Sequence, residues 1–306
     1  MKKESIINNY IKKGEEYHDK GELIKALNYY LRATELLEEE KDIDLMINIA
    51  LVYDELSMIE KAKEYYKAAI KIDNLEPRAY YGMAVIYDEE EEYEKAIEYY
   101  KKAVEINPIY DRGIFFLANA LDISGEKKEA IKYYERLLEL CPNDFWGIMN
   151  LGSIYEELNE NNKAYRLFQR ALEIDKNNHR ALFNMAVIYK KLNLIDKSKI
   201  FYKKAIEKER EYPYSFLNLS VIYKEEGNLK KAIEVISEGI KANKESEFLY
   251  YNRACFYALN GNEEEAIDDL IEAIKLYPNF LKHIYKDEDL RVIVNSPDFK
   301  SRLDSI

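Results

Sequence analysis

Apolar and polar positions along this chain recur with a period of 34 residues. A small residue marks each cycle: Ala26, Ala62, Ala96, Ala130, Ala164, Ala232 and Ala266, with Ser198 in the one remaining place. The first step is 36 residues long and the other six are 34. Within one cycle, Ile148, Leu151, Gly152 and Tyr155 carry the i, i+3, i+4, i+7 spacing of a single helix face. Ala164, Leu167, Phe168 and Ala171 form a second such face, and the polar run Asn159-Glu160-Asn161-Asn162 separates the two. The pattern predicts two helices per cycle, near 145–158 and 162–174 in this one, and no strand of four or more residues.

With the small residue at position 20, eight repeats occupy 7–40, 43–76, 77–110, 111–144, 145–178, 179–212, 213–246 and 247–280. The two extra residues, Lys41-Asp42, predict a longer connection between the first pair of repeats. Position 8 is small in all eight repeats, from Gly14 and Ala50 to Ala254. Position 11 is Tyr in seven, with Leu121 in the fourth, and position 24 is large throughout. Small residues let the paired helices approach, and large ones fill the space beside them. Asn107-Pro108 and Cys141-Pro142 stop helices, because the residue before Pro is pushed out of the α region. Units of this length cannot bury a core alone and must stack on their neighbours.

These positions resemble the tetratricopeptide repeat family over residues 7–280. The resemblance implies an all-α fold, a right-handed α-solenoid superhelix of antiparallel helix pairs. The first helix of each pair, helix A, would line a concave face. Residues 1–6 form a short leader. Residues 281–306 leave the frame but keep Leu290, Ile293, Phe299 and Leu303, with Ser296-Pro297 as a helix start. They are expected to be capping helices over repeat eight.

Composition narrows the function classes. A formal net charge of −12 opposes sequence-independent nucleic-acid binding, which depends on Lys and Arg neutralising phosphates. There is no run of 18 apolar residues and no apolar stretch in Met1–Gly14, so neither a membrane span nor a signal peptide is expected. Cys141 and Cys255 lie far apart and read as reduced thiols of a cytoplasmic protein. Three histidines, with no HExxH, no CxxC and no Gly-rich phosphate loop, suggest neither enzyme, metal nor cofactor.

The informative positions are those that helix A would present inward. Position 6 is Asn in five repeats: Asn48, Asn150, Asn184, Asn218 and Asn252. Asn is a poor interior helix former, so its recurrence asks for a reason. An amide both donates and accepts, and so suits a peptide unit. In tetratricopeptide proteins such a ladder grips the backbone of an extended peptide, although Asn here also fits simple family habit. This reading needs the amides exposed and not consumed by bonds within the chain. Position 5 is bulky, including Phe115, Phe183 and Tyr251, and position 2 carries Arg112, Trp146 and Arg180. Aromatic residues with Arg are typical interface anchors. Positions 12 and 13 are acidic early in the array (Asp54, Glu55, Asp88, Glu89) and include Lys190, Lys191 and Lys224 later. The Lys and Arg pattern with which some members clamp chaperone tails is absent, since position 5 is never Lys and position 6 never Arg.

The reading is a non-enzymatic scaffold that binds a protein or peptide partner in its groove, with no nucleic acid and no membrane. Self-association into a structural assembly, or targeting for an enzyme in trans, are the alternatives. Peptide-pheromone receptors with similar repeats carry an N-terminal DNA-binding segment, for which the six leading residues leave no room.

Overall fold

A computed structural model describes residues 2–37 and 42–305. The described residues contain no strand. They divide into two compact units, 1–154 and 155–306. The first holds α1 (Lys2–His18), α2 (Leu23–Leu37), α3 (Ile43–Glu55), α4 (Ile59–Ile72), α5 (Pro77–Glu89), α6 (Tyr93–Ile106), α7 (Asp111–Ile123) and α8 (Lys127–Leu140). The boundary falls inside α9 (Phe145–Glu157). The second continues with α10 (Asn161–Ile174), α11 (His179–Lys191), α12 (Ile195–Lys208), α13 (Pro213–Glu225), α14 (Leu229–Ala242), α15 (Glu247–Leu259) and α16 (Glu263–Leu276). In each unit the helices form antiparallel pairs, and the second helix of a pair packs on the first helix of the next.

Helices α9 and α10 run one residue off the bounds read from the periodicity. Helix α1 begins at Lys2, so residues 2–6 lengthen the first helix A and do not stand apart from it. The two-residue insertion is only partly visible, since Lys41 lies outside the described residues. Asp42 caps α3 by accepting from the Leu45 amide at 3.0 Å.

The turn inside every repeat uses the same device. Position 15 of the frame has positive φ in all eight: Gly21, Ser57, Glu91, Gly125, Asn159, Asn193, Gly227 and Gly261. Its amide bonds back three residues, and the next amide bonds back five, to position 11; in the third repeat these are Glu91 to Asp88 and Glu92 to Tyr87. This is the left-handed helix stop that satisfies the last carbonyls of helix A. The recurring residue of position 11 thus has a backbone duty as well as a packing one.

Packing follows the size alternation. Every position-20 alanine is fully buried, and so is Ser198, whose hydroxyl donates to the Ala186 carbonyl at 2.8 Å. That bond explains how a polar residue fills the one irregular place. The position-24 rings of Tyr30, Tyr66, Tyr100, Tyr134, Phe168 and Tyr202 are buried. A Cβ on Gly14 or Gly82 would sit 2.3 or 2.2 Å from the Tyr30 or Tyr66 ring, so Gly there makes room for the rings.

Charge enters the packing in register. Lys63 donates to Glu90 at 2.7 and 2.8 Å, and Lys199 pairs with Glu226 at 2.7 Å, both 27 residues apart. In repeat eight, Arg253 and Asp269 stand at positions 7 and 23, and form a two-pronged pair at 2.7 Å in each arm. Arg253 also donates to Ser237 at 2.9 Å, which satisfies another of its N–H groups.

After α16 the chain makes three short helices, α17 (Leu281–Ile284), α18 (Arg291–Asn295) and α19 (Pro297–Leu303). Ile284, Leu290, Ile293 and Phe299 bury against Ala254, Ala266 and Leu270. Ser296 caps α19 by accepting from the Phe299 amide at 3.2 Å. Between α17 and α18, Asp287 accepts hydrogen bonds from the Tyr251 hydroxyl and, at 3.7 Å, from the Cys255 thiol.

Candidate functional site

Three of the groove residues meet in the first unit. Arg112, near the start of α7, Phe115 one turn on, and Trp146, at the start of α9, line one cleft of about 190 Å³. Phe116, Leu137, Asp111 and Asp144 complete it. The frame explains the convergence: positions 2 and 5 of one helix A face position 2 of the next. Phe115 stands edge-on to Phe116 at 5.2 Å and to Tyr134 at 6.0 Å, which fixes its ring. Trp146 is edge-on to Phe145 at 5.2 Å yet 47% exposed. Asp144 is partly spent as a helix cap, accepting from the Gly147 amide at 2.6 Å. Among the described residues the Arg112 guanidinium has no ion-pair partner. Burial pushes the Tyr81 hydroxyl up to about 12, Tyr110 adds to the rise and Arg112 opposes it, so the cationic field extends over this ring pair. An aromatic wall, a mobile-length cation and rim carboxylates suit one anchoring side chain. The volume is below the roughly 300–1,000 Å³ of a site for a whole small molecule.

The asparagines differ from expectation. All five are half-buried rather than exposed. Asn150 donates to the Tyr134 hydroxyl at 2.9 Å. Asn218 donates to the Tyr214 carbonyl at 2.9 Å, and Asn252 to the Phe248 carbonyl at 2.7 Å, each one turn back in its own helix. In these three, one amide N–H is therefore consumed inside the chain. The physical reason is proximity: position 6 lies one turn from position 2 and beside the position-24 ring of the preceding repeat. Each amide keeps a second N–H and its oxygen. Among the described residues the Asn48 and Asn184 side chains make no hydrogen bond.

Phe183 and Tyr251 are committed to packing. Phe183 is edge-on to Tyr202 at 5.5 Å and to Tyr212 at 5.3 Å. Tyr251 packs on Phe280 at 5.1 Å and bonds Asp287. Arg180 is exposed at the start of α11, where burial lowers the His179 pKa, Glu209 opposes and Arg180 adds to the lowering. The sequence reading did not single out Tyr212, which touches His179 at 5.2 Å and Tyr214 at 5.4 Å; the position-2 rings of Tyr214 and Phe248 stack on each other at 5.1 Å. Its signal was in the frame, in that positions 34, 2 and 2 carry rings in succession. Burial, then Asp287, pushes the Cys255 thiol up to about 12, which leaves it protonated and unreactive.

In the first unit the acidic residues of positions 12 and 13 lie close enough to act on one another. Burial, then Glu89 and Glu55, pushes the Asp54 carboxyl up to about 6. Burial raises Asp88, the Tyr100 hydroxyl opposes through a 3.2 Å bond, and Glu89 adds to the rise. His18 lies 2.9 Å from Glu55. In the second unit the same positions are internally neutralised: Lys190 pairs with Glu225 at 2.8 Å and Lys191 with Glu156. Among the described residues no cluster of His, Cys, Asp or Glu could hold a metal ion. No described helix is long and apolar enough to cross a membrane.

Family profiles described as tetratricopeptide repeat match residues 7–37, 43–74, 77–110, 112–144, 148–178, 167–199, 213–246 and 249–280. No curated protein sequence matches the chain. Among solved structures, a chain of the APC/C hetero-tetramer Cut9-Hcn1 is similar at 15% identity and a TM-score of 0.57 over 92% of this chain. This chain spans about half of that one, 52%. MamA from Desulfovibrio magneticus RS-1 is similar at 16% identity and a TM-score of 0.51, over 54% of this chain and 94% of its own. YrrB, titled a TPR protein with an unusual peptide-binding site, is 22% identical over 61% of this chain and 98% of its own, with a TM-score of 0.44. At these identities the first two bear on the fold alone.

Proposed function

Because the chain belongs to the tetratricopeptide repeat family, we propose that it is a non-enzymatic scaffold that binds an extended peptide, or a disordered segment of a partner protein, along its helix-A face. The observation that carries the reading is the cleft uniting Arg112, Phe115 and Trp146. A half-exposed Trp ring is costly to leave in water, and Trp with Arg is typical of an interface anchor. A partner side chain enters this cleft, with Arg112 receiving a carbonyl or carboxylate of the same segment. In the second unit, Asn184, which makes no bond within the chain, offers its amide to a peptide backbone, whereas Asn218 and Asn252 each have one N–H spent inside their own helix. The partner is a protein or peptide met in the cytoplasm; neither nucleic acid, membrane nor cofactor enters the reading.

The test starts from a displayed library of random peptides selected against the protein. Trp146 is the single tryptophan, so its fluorescence reports occupation of the cleft directly. Selected peptides should shift that emission. Trp146→Ala with Arg112→Ala should weaken them by tenfold or more, on the order of 1.4 kcal/mol or above, with melting unchanged. Asn184→Ala should cost peptides that contact the second unit about 0.5–1.5 kcal/mol, and more than Asn218→Ala. Peptides that bind wild type and the Trp146 and Arg112 variant equally would remove the cleft from the proposal.

A further inference from the structure

A second groove lies in the second unit, walled mostly by residues of helices B. It measures about 460 Å³ and runs between the end of α10, the start of α11 and the outer face of α12. Its apolar lining is Leu172, Leu182 and Phe201, and around these stand Lys176, Lys204 and Lys208, with Glu207 as the one acidic residue. Lys204 lies over the Phe201 ring at 4.9 Å. Among the described residues none of these three lysines has an ion-pair partner.

One of the lysines is also a local departure from the repeat. Lys208 stands at position 30, where the other seven repeats carry Leu, Ile or Ala. Lys176 stands at position 32, which is also cationic in the next two repeats, Arg210 and Lys244. A helix-end position that is apolar elsewhere has become cationic here, next to two further lysines, in a chain whose formal net charge is −12. Three unneutralised cations around an apolar floor are electrostatically complementary to an acidic surface that carries an apolar group.

We propose that this groove docks an acidic segment of a partner protein, with one apolar or aromatic side chain seated on Leu172, Leu182 and Phe201 and its carboxylates on Lys176, Lys204 and Lys208. A polyanion such as nucleic acid fits less well. It would meet the chain's overall negative field and gain nothing from the apolar floor. The surface is separate from the helix-A cleft and does not depend on the reading given to that cleft.

The test uses the full chain and a fluorescein-labelled peptide in which Leu and Phe are set among Glu and Ser. Anisotropy should show binding that weakens as salt is raised. Replacing the three lysines together (Lys176→Gln, Lys204→Gln, Lys208→Gln) should weaken it by roughly tenfold or more, with the circular-dichroism melt unchanged. The single variant Lys204→Glu should act in the same direction. Trp146 emission should stay constant during the titration, because the peptide is not in the helix-A cleft. The proposal is overturned if the triple variant binds as well as wild type, or if Trp146 emission shifts. It is equally overturned if the peptide with Lys for Glu, or the one lacking Leu and Phe, binds equally. Inorganic phosphate or phosphatidylserine vesicles that bind in the peptide's place would assign the groove to a bare anion or a lipid surface. Mass rising with concentration in wild type, and not in the triple variant, would assign it to a second copy of this chain. Each of these overturns the proposal.

Discussion

At the scale of single residues, the eight left-handed turns make a natural substitution series. Gly125 holds position 15 with φ at 86°, and a Cβ there would meet nothing within 4 Å, so any cost of adding one is backbone strain alone. Glu91 holds the same place with φ at 60°. A non-Gly residue in this region costs roughly 1–2 kcal/mol, and Gly pays part of that back in unfolded-chain entropy. Glu91→Gly should therefore stabilise by about 1 kcal/mol, and Gly125→Ala should destabilise by a similar amount, both read by urea unfolding. Asp54 gives a second prediction. Its folded-state pKa of about 6 lies above the ordinary 3.8, so the folded state holds the proton more tightly than the unfolded one. Stability from this group is present below pH 4 and falls as pH rises towards 6. Asp54→Asn should match wild type at the acid end and become the more stable of the two across that window. A difference that does not change with pH would mean that burial and Glu89 do not act on Asp54 as described.

At the scale of helix pairs, the charges that enter the packing between neighbouring helices come with a matching partner. Position 21 is Lys in two repeats, and in both the following position 14 is Glu. The other repeats place apolar residues at position 21. In repeat eight the substitution goes deeper. Position 7 is apolar in repeats two to seven and position 23 apolar or aromatic in repeats one to seven, but Arg253 and Asp269 replace both, and Asp269 is 5% exposed. Breaking such a pair strands a buried charge. Arg253→Met should cost about 3–5 kcal/mol. The double change Arg253→Leu with Asp269→Tyr restores the pattern of the other repeats and should be close to neutral or stabilising. A double mutant as unstable as the single would show that position 23 in this repeat no longer has room for a ring.

At the scale of the whole molecule, stability is a sum of neighbouring contacts and has no single centre. Ala164 is fully buried. Ala164→Leu should destabilise by roughly 1–3 kcal/mol through overpacking. Hydrogen exchange should show the loss concentrated in residues 145–212, with protection in the first three repeats nearly unchanged. Uniform loss along the chain would mean that the array unfolds as one cooperative block.

The period, the two helices in each repeat and the close-packed positions were legible in the sequence, because helix periodicity and residue size act over a few residues and repeat eight times in phase. The convergence of Arg112, Phe115 and Trp146 was half-legible: the frame assigned all three to one face, but not to one cleft. The state of the asparagines was not legible at all. Whether an amide is free depends on a carbonyl or hydroxyl within about 3 Å, such as the Tyr134 hydroxyl that meets Asn150 from the preceding repeat. The same holds for Tyr251, which the sequence offered to a ligand and the fold gave to Asp287, 36 residues further along. Sequence by itself determined which faces are apolar and where each helix stops, since those follow from local propensity and spacing. Tertiary structure decided which polar groups remain available, since that depends on side chains brought together from different repeats.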